Sequence, residues 1–94
     1  NLLGKRNDGF KIALYILNLG RIKLAGATVG ASKATITESV RYANERKQFG
    51  TFISNFGAIK NKLAEMVIRT FVNESLTYRA SQNIDDAINS YVEE

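Results

Sequence analysis

The chain has no proline anywhere in its 94 residues, and this absence constrains its fold more than any other sequence feature. Proline commonly ends helices, and sheets require frequent turns between short strands. A chain without proline and with few turn clusters therefore favours long helices. Because 45% of the residues are hydrophobic, the composition is that of a globular protein and not of a disordered one. We predict an all-α fold of at most one small domain.

The first predicted helix begins after Asn7 and Asp8, whose short polar side chains can cap free backbone N–H groups. Apolar residues then recur at helical spacing from Gly9 to about Arg46. Such a helix would be roughly 55 Å long at about 1.5 Å per residue. A rod of this length does not suit an isolated globule, so we expect it to belong to a larger bundle.

The middle of this helix is rich in small residues and contains Gly26 and Gly30 in a GxxxG spacing. The same spacing occurs in membrane helices that pack closely. However, Lys23 and Lys33 enclose only nine weakly apolar residues, whereas a membrane span needs about 20. We therefore predict close packing against another protein helix and no membrane span.

Helical periodicity is interrupted from 49 to 57, where three phenylalanines and two glycines predict a turn. Ser54 or Asn55 is expected to cap the helix that follows. Apolar spacing then predicts a second helix over about 55–82 and a short third helix over about 84–93. The predicted architecture is a long antiparallel helical hairpin, with helices at about 9–46 and 55–82, plus the short third helix.

Cysteine and histidine are both absent from the chain. Their absence excludes disulfides, Cys/His zinc clusters and every catalytic pair that depends on a thiolate or an imidazole, so no metal site is predicted. The formal net charge of +4 is spread along the chain. The sequence lacks the basic stripe with interleaved aromatic residues that is typical of nucleic-acid binding. The carboxylates lie on expected polar helix faces, and none is assigned a catalytic role.

Two groups of residues are candidates for binding an anion. The first is Arg46, Lys47 and Gln48, followed by Phe49. Cations near the end of a helix interact favourably with its macrodipole, so ordinary capping explains this group as well. The alternative is recognition of a pyrophosphate, in which the arginine fork and the glutamine amide donate to oxygens and the phenylalanine supplies a flat surface.

The second group is Asn18-Leu19-Gly20-Arg21. Arg21 stands within an otherwise apolar helical face, where a charge is costly to bury unless it is paired or reaches solvent. One interpretation is a side chain that lays its alkyl stem along the apolar surface and keeps its charge in water. The other interpretation is a contact with an anionic ligand.

Five short motifs, in this order and at this spacing over roughly residues 4–82, resemble those of the acyl-CoA dehydrogenases. They are Gly9-Phe10-Lys11-Ile12-Ala13, Ile16-Leu17-Asn18-Leu19-Gly20-Arg21, Arg46-Lys47-Gln48-Phe49-Gly50, Asn55-Phe56-Gly57 and Lys62-Leu63-Ala64. The Leu-Asn-x-Gly-Arg form and the Asn-Phe-Gly turn most resemble the very-long-chain branch. The resemblance implies a C-terminal four-helix-bundle domain, of which residues 1–94 would form one part.

The resemblance also implies a flavin-dependent oxidoreductase that desaturates a fatty acyl-CoA between its α and β carbons, as in fatty acid β-oxidation. In this family a glutamate removes the α-proton, and FAD takes a hydride from the β-carbon. The segment Arg46–Phe49 matches the one that reaches the FAD diphosphate, generally in the neighbouring subunit. The segment Asn18–Arg21 matches a stretch along the acyl-CoA path, with Arg21 as its polar contact.

The resemblance further implies three partners: a fatty acyl-CoA substrate, other copies of the chain in a dimer or tetramer, and an electron-transfer flavoprotein. Nucleic acid is not among them. The implied location is the bacterial cytoplasm, with the mitochondrial matrix as the alternative. A second hypothesis, from a different class, is a non-enzymatic helical module whose uncovered apolar faces drive self-association.

The chain departs from the family pattern at the catalytic base. In some branches the glutamate immediately precedes the arginine, where this chain has Gly20, and in others it lies beyond Glu94. Where some relatives carry a His-Gln pair near FAD, this chain has Phe56-Gly57, so no contact is assigned there. No catalytic residue is therefore predicted within these 94 residues, which alone are not expected to be active.

Overall fold

The chain forms two long helices joined by a compact connection, in a computed structural model that describes residues 4–92 and, for side chains, residues 4–90. Helix α1 spans Gly9–Glu45 and helix α2 spans Gly57–Val92. Between them lie two short strands, β1 (Lys47–Gln48) and β2 (Thr51–Phe52), and a single 3₁₀ turn (Ile53–Asn55). The predicted all-α fold and helical hairpin are confirmed. The small β-hairpin in the connection was not predicted.

Helix α1 begins where the sequence predicts it, with Asp8 as the N-cap residue. The Asp8 carbonyl accepts the first helical hydrogen bond, from the Ile12 N–H at 3.0 Å. The Asp8 side chain itself makes no capping hydrogen bond. At the other end Arg46 adopts extended backbone geometry (φ −76°, ψ 126°), and its N–H donates to the Tyr42 carbonyl. The helix therefore ends one residue before the predicted boundary.

Helix α2 is continuous, so the predicted division into helices at 55–82 and 84–93 is wrong. The predicted boundary lies at Ser81 and Gln82, but the side chains of both residues support the helix. Ser81 Oγ donates to the Thr77 carbonyl one turn earlier, and Gln82 Nε2 donates to Asp86 Oδ1 one turn later, each at 2.8 Å. Since polar residues with such local partners are tolerated within a helix, nothing ends it there. The predicted end at residue 93 lies outside the described residues.

The start of α2 also differs from its prediction. Phe56 precedes the helix, and its carbonyl accepts hydrogen bonds from the N–H groups of Ile59 and Lys60. Asn55 belongs to the 3₁₀ turn, and its Nδ2 donates to Thr51 Oγ1 at 2.8 Å. Because the 3₁₀ turn comes between the strands and α2, neither Ser54 nor Asn55 occupies the capping position that the sequence predicts for them.

The two helices meet along an antiparallel seam whose residues alternate at spacings of three and four. The half-buried and buried residues of the seam are Ile22, Ala25, Val29, Ser32, Ile36, Ser39 and Ala43 on α1, with Ile59, Leu63, Met66, Thr70, Glu74, Thr77, Ser81 and Ile84 on α2. This spacing is that of helix pairs packed at a shallow angle. Lys33 and Glu74 form an ion pair across the seam and help to fix its register.

The two helices enclose almost no buried core. Ala43, with 3% of its surface exposed, is the only fully buried residue among those whose burial the structure describes. The radius of gyration is 21.2 Å, whereas a compact chain of this length would have one of about 12 Å. The apolar face of α1 that the periodicity identifies, with Phe10, Leu14, Leu17 and Leu24, lies beside the seam and stays exposed.

Helix α1 is also long and apolar enough to cross a membrane, since it contains an 18-residue window with a mean hydropathy of 1.3. This window is wider than the segment between Lys23 and Lys33 on which the prediction of no span depends. Core helices of soluble proteins, which are mostly buried, and signal sequences pass the same test; this window is not buried within the single chain. The free energy of membrane insertion is also less favourable by about 2.5–3.5 kcal/mol for each lysine or arginine at the centre of a span. Length and hydropathy alone therefore do not make α1 a membrane helix.

Candidate cofactor and substrate contacts

The first candidate group lies on a β-hairpin whose two strands have two residues each. It is at the end of the molecule where α1 and α2 are joined. Strands β1 and β2 pair antiparallel, with Lys47 opposite Phe52 and Gln48 opposite Thr51. The turn residues Phe49 and Gly50 both have positive φ, at 52° and 81°. Positive φ at both central positions defines a type I′ turn, whose twist matches that of paired strands. The ladder extends one step further, since the Ile53 N–H donates to the Arg46 carbonyl at 2.9 Å.

The hairpin separates the predicted contacts onto two faces. Side chains alternate along extended chain, and directly paired residues share a face. Arg46, Gln48 and Thr51 therefore share one face, which we call the donor face. Lys47 lies on the other face with Phe52, and its Nζ is 4.7 Å from the centre of that ring. The sequence groups Lys47 with Arg46 and Gln48, but the strand geometry turns it away from them.

Arg46 and Lys47 carry charge that no described carboxylate neutralises. Both are exposed, and among residues 4–90 neither forms an ion pair. Arg41, which the sequence places close to them, is occupied: it bonds to Glu38 and also donates to Glu45 at 2.9 Å. Its hydrogen bonds to these two carboxylates raise the pKa of Arg41. The end of the hairpin thus presents two free cations.

Phe49 stands at the tip of the turn with 94% of its surface exposed. Its ring contacts Phe56 edge to face, with centroids 6.3 Å apart and planes at 82°. A bulky residue with positive φ is uncommon and strained. An exposed aromatic ring held in a strained turn supplies little to the folding of this chain. We therefore retain Phe49 as a candidate contact for a molecule outside the chain.

The second candidate group lies between α1 and α2, near the end of the helix pair that is opposite the β-hairpin. Asn18 and Leu19 line a groove of about 300 Å³ between the N-terminal half of α1 and the C-terminal half of α2. The remaining lining residues are Tyr15, Asn83, Ile84, Ala87 and Ile88. The groove is largely apolar with amide groups at its edge, and no carboxylate is among its lining residues.

Gly20 and Arg21 lie outside this groove, and Arg21 is exposed. Arg21 Nη1 donates to Asn18 Oδ1 at 3.4 Å, which is long for a hydrogen bond and therefore weak. Since a guanidinium has five N–H donors, most of those of Arg21 are free. The side chain is thus neither buried nor neutralised among the described residues, and both interpretations made from the sequence remain open.

The two groups are far apart in this chain. Arg21 and Arg46 are 25 positions apart, and all but the last of these lie in α1, which corresponds to about 37 Å at roughly 1.5 Å per residue. One chain therefore does not bring them to the same reacting centre. Sequence reasoning also missed Thr51 and Asn55, which hydrogen-bond beside the donor face. Recognising Phe49-Gly50 as a hairpin turn would have paired Thr51 with Gln48, but its first residue lacks the usual Asn or Asp.

The donor face fits the diphosphate of FAD by its chemistry. A diphosphate offers several oxygen acceptors with negative charge, and the face offers an arginine fork, a neutral amide and a hydroxyl. Arg46 and Gln48 are exposed, and their charge and donors are not used by described carboxylates. If FAD binds here, these are the residues that would hold its diphosphate group.

Comparisons with known proteins agree with these motifs. The family described as "Acyl-CoA dehydrogenase, C-terminal domain" matches residues 7–93. The chain is 48% identical over 85 residues to the mitochondrial very long-chain specific acyl-CoA dehydrogenase of Macaca fascicularis, covering 90% of this chain and 13% of that protein. It is 43% identical to a probable acyl-CoA dehydrogenase of Bacillus subtilis, covering 100% of this chain and 16% of that protein.

A solved structure has the same fold. Butyryl-CoA dehydrogenase from Megasphaera elsdenii superposes with a TM-score of 0.85 at 34% identity, over 93% of this chain and 23% of that one. The chain therefore spans about one seventh of the length of these two relatives and about a quarter of the solved enzyme.

Proposed function

Since this chain belongs to the acyl-CoA dehydrogenase family and matches its C-terminal domain, we propose that it supplies cofactor and substrate contacts within a flavin-dependent acyl-CoA dehydrogenase. The observation that carries the proposal is the donor face, where Arg46 and Gln48 lie together and exposed on a paired β-hairpin. An anion-binding face needs charge and hydrogen-bond donors held in a defined arrangement; Arg46 supplies the charge, both side chains supply donors, and strand pairing arranges them.

Arg46 and Gln48 bind the FAD diphosphate, with Phe49 packing beside it from the tip of the turn. Lys47 stabilises the hairpin through Phe52 on the opposite face and adds long-range attraction for the anion. FAD held there would supply the acceptor for the hydride that leaves the β-carbon of the acyl-CoA substrate. No carboxylate is among the described residues that line the groove beside Asn18, and the base that removes the α-proton comes from another part of the enzyme.

Asn18 and Leu19 contact the acyl-CoA along the groove, and Arg21 reaches a polar group of the same substrate. Because Arg21 and Arg46 are about 37 Å apart, we propose that the two candidate groups of one chain serve different subunits. In this arrangement Asn18–Arg21 serve the substrate of their own subunit. The hairpin of the same chain serves the FAD of the neighbouring subunit.

The uncovered surface of the chain supports an oligomer or a larger domain around it. Its accessible surface is 8092 Å², whereas a compact monomer of 10.4 kDa would expose about 5,400 Å². The excess of roughly 2,700 Å² exceeds what one partner contributes to a standard interface, about 800 Å². We propose that the remaining helices of the bundle and further subunits cover it.

An electron-transfer flavoprotein is the proposed acceptor of the electrons. One bacterial relative, 36% identical over 96% of this chain, is named as a subunit of a caffeyl-CoA reductase–Etf complex. Relatives come from bacteria and from mitochondria, and we propose the bacterial cytoplasm as the location, with the mitochondrial matrix as the alternative.

The test uses the full-length enzyme that contains this chain. Replacing Arg46 with Ala removes a charged donor to an anion, an interaction worth about 1.5–3 kcal/mol, so the dissociation constant for FAD should rise at least tenfold. Flavin fluorescence of the apoenzyme titrated with FAD measures it. Arg41→Ala is the matched control, because Arg41 is occupied by Glu38 and Glu45, and it should leave FAD affinity unchanged. Equal FAD affinity in the Arg46 variant and the wild type would refute the assignment.

The reaction itself has a separate test. Anaerobic addition of a fatty acyl-CoA to the holoenzyme should bleach the visible absorbance of the flavin. A flavin that keeps its absorbance with acyl chains from short to very long would contradict the proposed activity, whatever the outcome for Arg46.

The near absence of a buried core favours a second candidate function for the 94 residues by themselves, namely helical self-association. Large apolar side chains on both helices, such as Phe10 and Phe71 at 77% and 68% exposure, have no cover in a single chain. Sizing chromatography of the 94-residue chain should give a dimer or larger species at micromolar concentration. A compact monomer would contradict this candidate.

A further inference from the structure

The donor face includes a hydroxyl that neither the family motif nor the sequence singles out. Thr51 is directly opposite Gln48 in the β-hairpin, so the two side chains share a face. Thr51 is half-buried. Its Oγ1 accepts a hydrogen bond from Asn55 Nδ2 at 2.8 Å. Asn55 lies on the 3₁₀ turn that follows β2, so the hydroxyl is held by a side chain of the connection.

The hydrogen bonding of this hydroxyl differs from that of the helical hydroxyls. Many serine and threonine side chains of α1 and α2 donate to the carbonyl three or four residues earlier, as Ser32 and Thr77 do at 2.8 Å. Their protons are therefore used within their own helix. Thr51 accepts, and among the described residues its O–H donates to no protein group. A hydroxyl has one donor and two acceptor positions, so its proton is available on the donor face.

We propose that Thr51 is a third direct contact to the FAD diphosphate, donating its hydroxyl proton to a phosphate oxygen beside the contacts of Arg46 and Gln48. Asn55 is a positioning residue, because its amide occupies a lone pair of Thr51 and points the proton outwards. The inference rests on the proposed function, since it requires that the donor face binds FAD. It adds a binding residue that the matched motif, Arg46–Gly50, does not contain.

The test is the affinity of the full-length apoenzyme for FAD, measured by flavin fluorescence. Thr51→Val keeps the shape of the side chain and removes the hydroxyl, so the dissociation constant should rise roughly tenfold. Thr51→Ser keeps the hydroxyl and should stay within about twofold of the wild type. Riboflavin, which has no phosphate, serves as the probe for a purely structural effect, and its affinity should be the same in all three proteins.

Asn55→Ala tests the positioning role. It should weaken FAD binding in the wild-type background and have little further effect when combined with Thr51→Val, since it acts through that hydroxyl. Additive losses in the double variant would overturn the role of Asn55. Should the Thr51→Val enzyme fail to assemble, Thr51→Ala and Thr51→Ser provide the same comparison of a side chain without and with the hydroxyl.

The outcomes separate this inference from the proposed function. A loss of FAD affinity in Arg46→Ala together with unchanged affinity in Thr51→Val overturns the third contact and leaves the donor face intact. Unchanged affinity in both variants overturns the donor face, and the third contact with it. A Thr51→Val enzyme that loses FAD and riboflavin equally overturns the third contact in favour of a structural role.

Discussion

Phe49 offers the sharpest test of the hairpin, because its replacement should change hairpin stability and cofactor affinity in opposite directions. The residue has a φ of 52°, in the left-handed region that costs most residues about 1–2 kcal/mol and that asparagine adopts readily. Asparagine followed by glycine is also the preferred pair for a type I′ turn. Phe49→Asn should therefore relieve about 1 kcal/mol of backbone strain.

The substitution also removes what the ring contributes. Its edge-to-face contact with Phe56, at 6.3 Å between centroids, is worth about 0.5 kcal/mol at such an exposed site. Because 94% of Phe49 is exposed, little burial is lost. Strain relief of about 1 kcal/mol outweighs this loss, so the hairpin should gain about 0.5 kcal/mol. That gain lowers the equilibrium constant for opening of the hairpin roughly twofold.

Hydrogen exchange of the full-length apoenzyme, followed by mass spectrometry on peptides covering 46–56, measures hairpin opening directly. Phe49→Asn should slow exchange there about twofold and should also weaken FAD binding, since the ring is lost. Phe49→Leu is the control: it keeps the strain and loses the ring, so it should speed exchange and weaken FAD. Faster exchange in Phe49→Asn with unchanged FAD affinity would show that Phe49 serves the hairpin alone, and the reasoning would fail.

Three further predictions concern the faces of the hairpin, an ion pair on α1 and the continuity of α2. Lys47→Met should leave the FAD dissociation constant within about twofold, whereas Gln48→Leu should raise it about tenfold; equal effects in fluorescence titrations would refute the two-face geometry. The hydrogen bond from Arg41 lowers the pKa of Glu38 from its ordinary value of 4.5, so the stabilisation from this pair is present above pH 4.5 and is lost as the pH falls through the lowered pKa. Carboxyl ¹³C titration by NMR should give a midpoint below 4.5 that returns towards 4.5 in Arg41→Gln, and a midpoint unchanged by that substitution would contradict the cause. Gln82→Pro should destabilise the enzyme by about 3 kcal/mol because it interrupts a continuous helix, while Gln82→Ala should not; a thermal unfolding midpoint unaffected by proline would indicate a break in α2.

Much of the fold could be read from local pattern. The absence of proline and the apolar spacing predicted two long helices, and α1 begins at Gly9 as expected because a polar pair precedes the first helical turn. The break at Ser81 and Gln82 was wrong. Whether a serine ends a helix or donates to the preceding turn depends on the backbone that surrounds it, and apolar spacing does not contain that information.

The candidate site was predictable as residue types and not as an arrangement. Five motifs in order identified the family, which the comparisons confirm. The same motifs grouped Arg46, Lys47 and Gln48 as equal contacts to FAD, a prediction that stays untested. Strand pairing separates Lys47 from the other two and adds Thr51 to their face. Only the strand register of the β-hairpin shows that Thr51 shares a face with Gln48, since Thr51 comes after the turn.

The sequence by itself determined that this protein is helical, that it lacks thiol, imidazole and disulfide chemistry, and that it carries the motifs of a flavin-dependent family. Those properties depend on residue identity and short-range spacing, which are present in any conformation of the chain. The tertiary structure decided which side chains share a face and how far apart the two groups lie along α1. It also left most of the large apolar side chains among residues 4–90 exposed. These properties depend on strand register, on helix length and on the neighbours a side chain has in space, because packing joins residues that are distant in sequence.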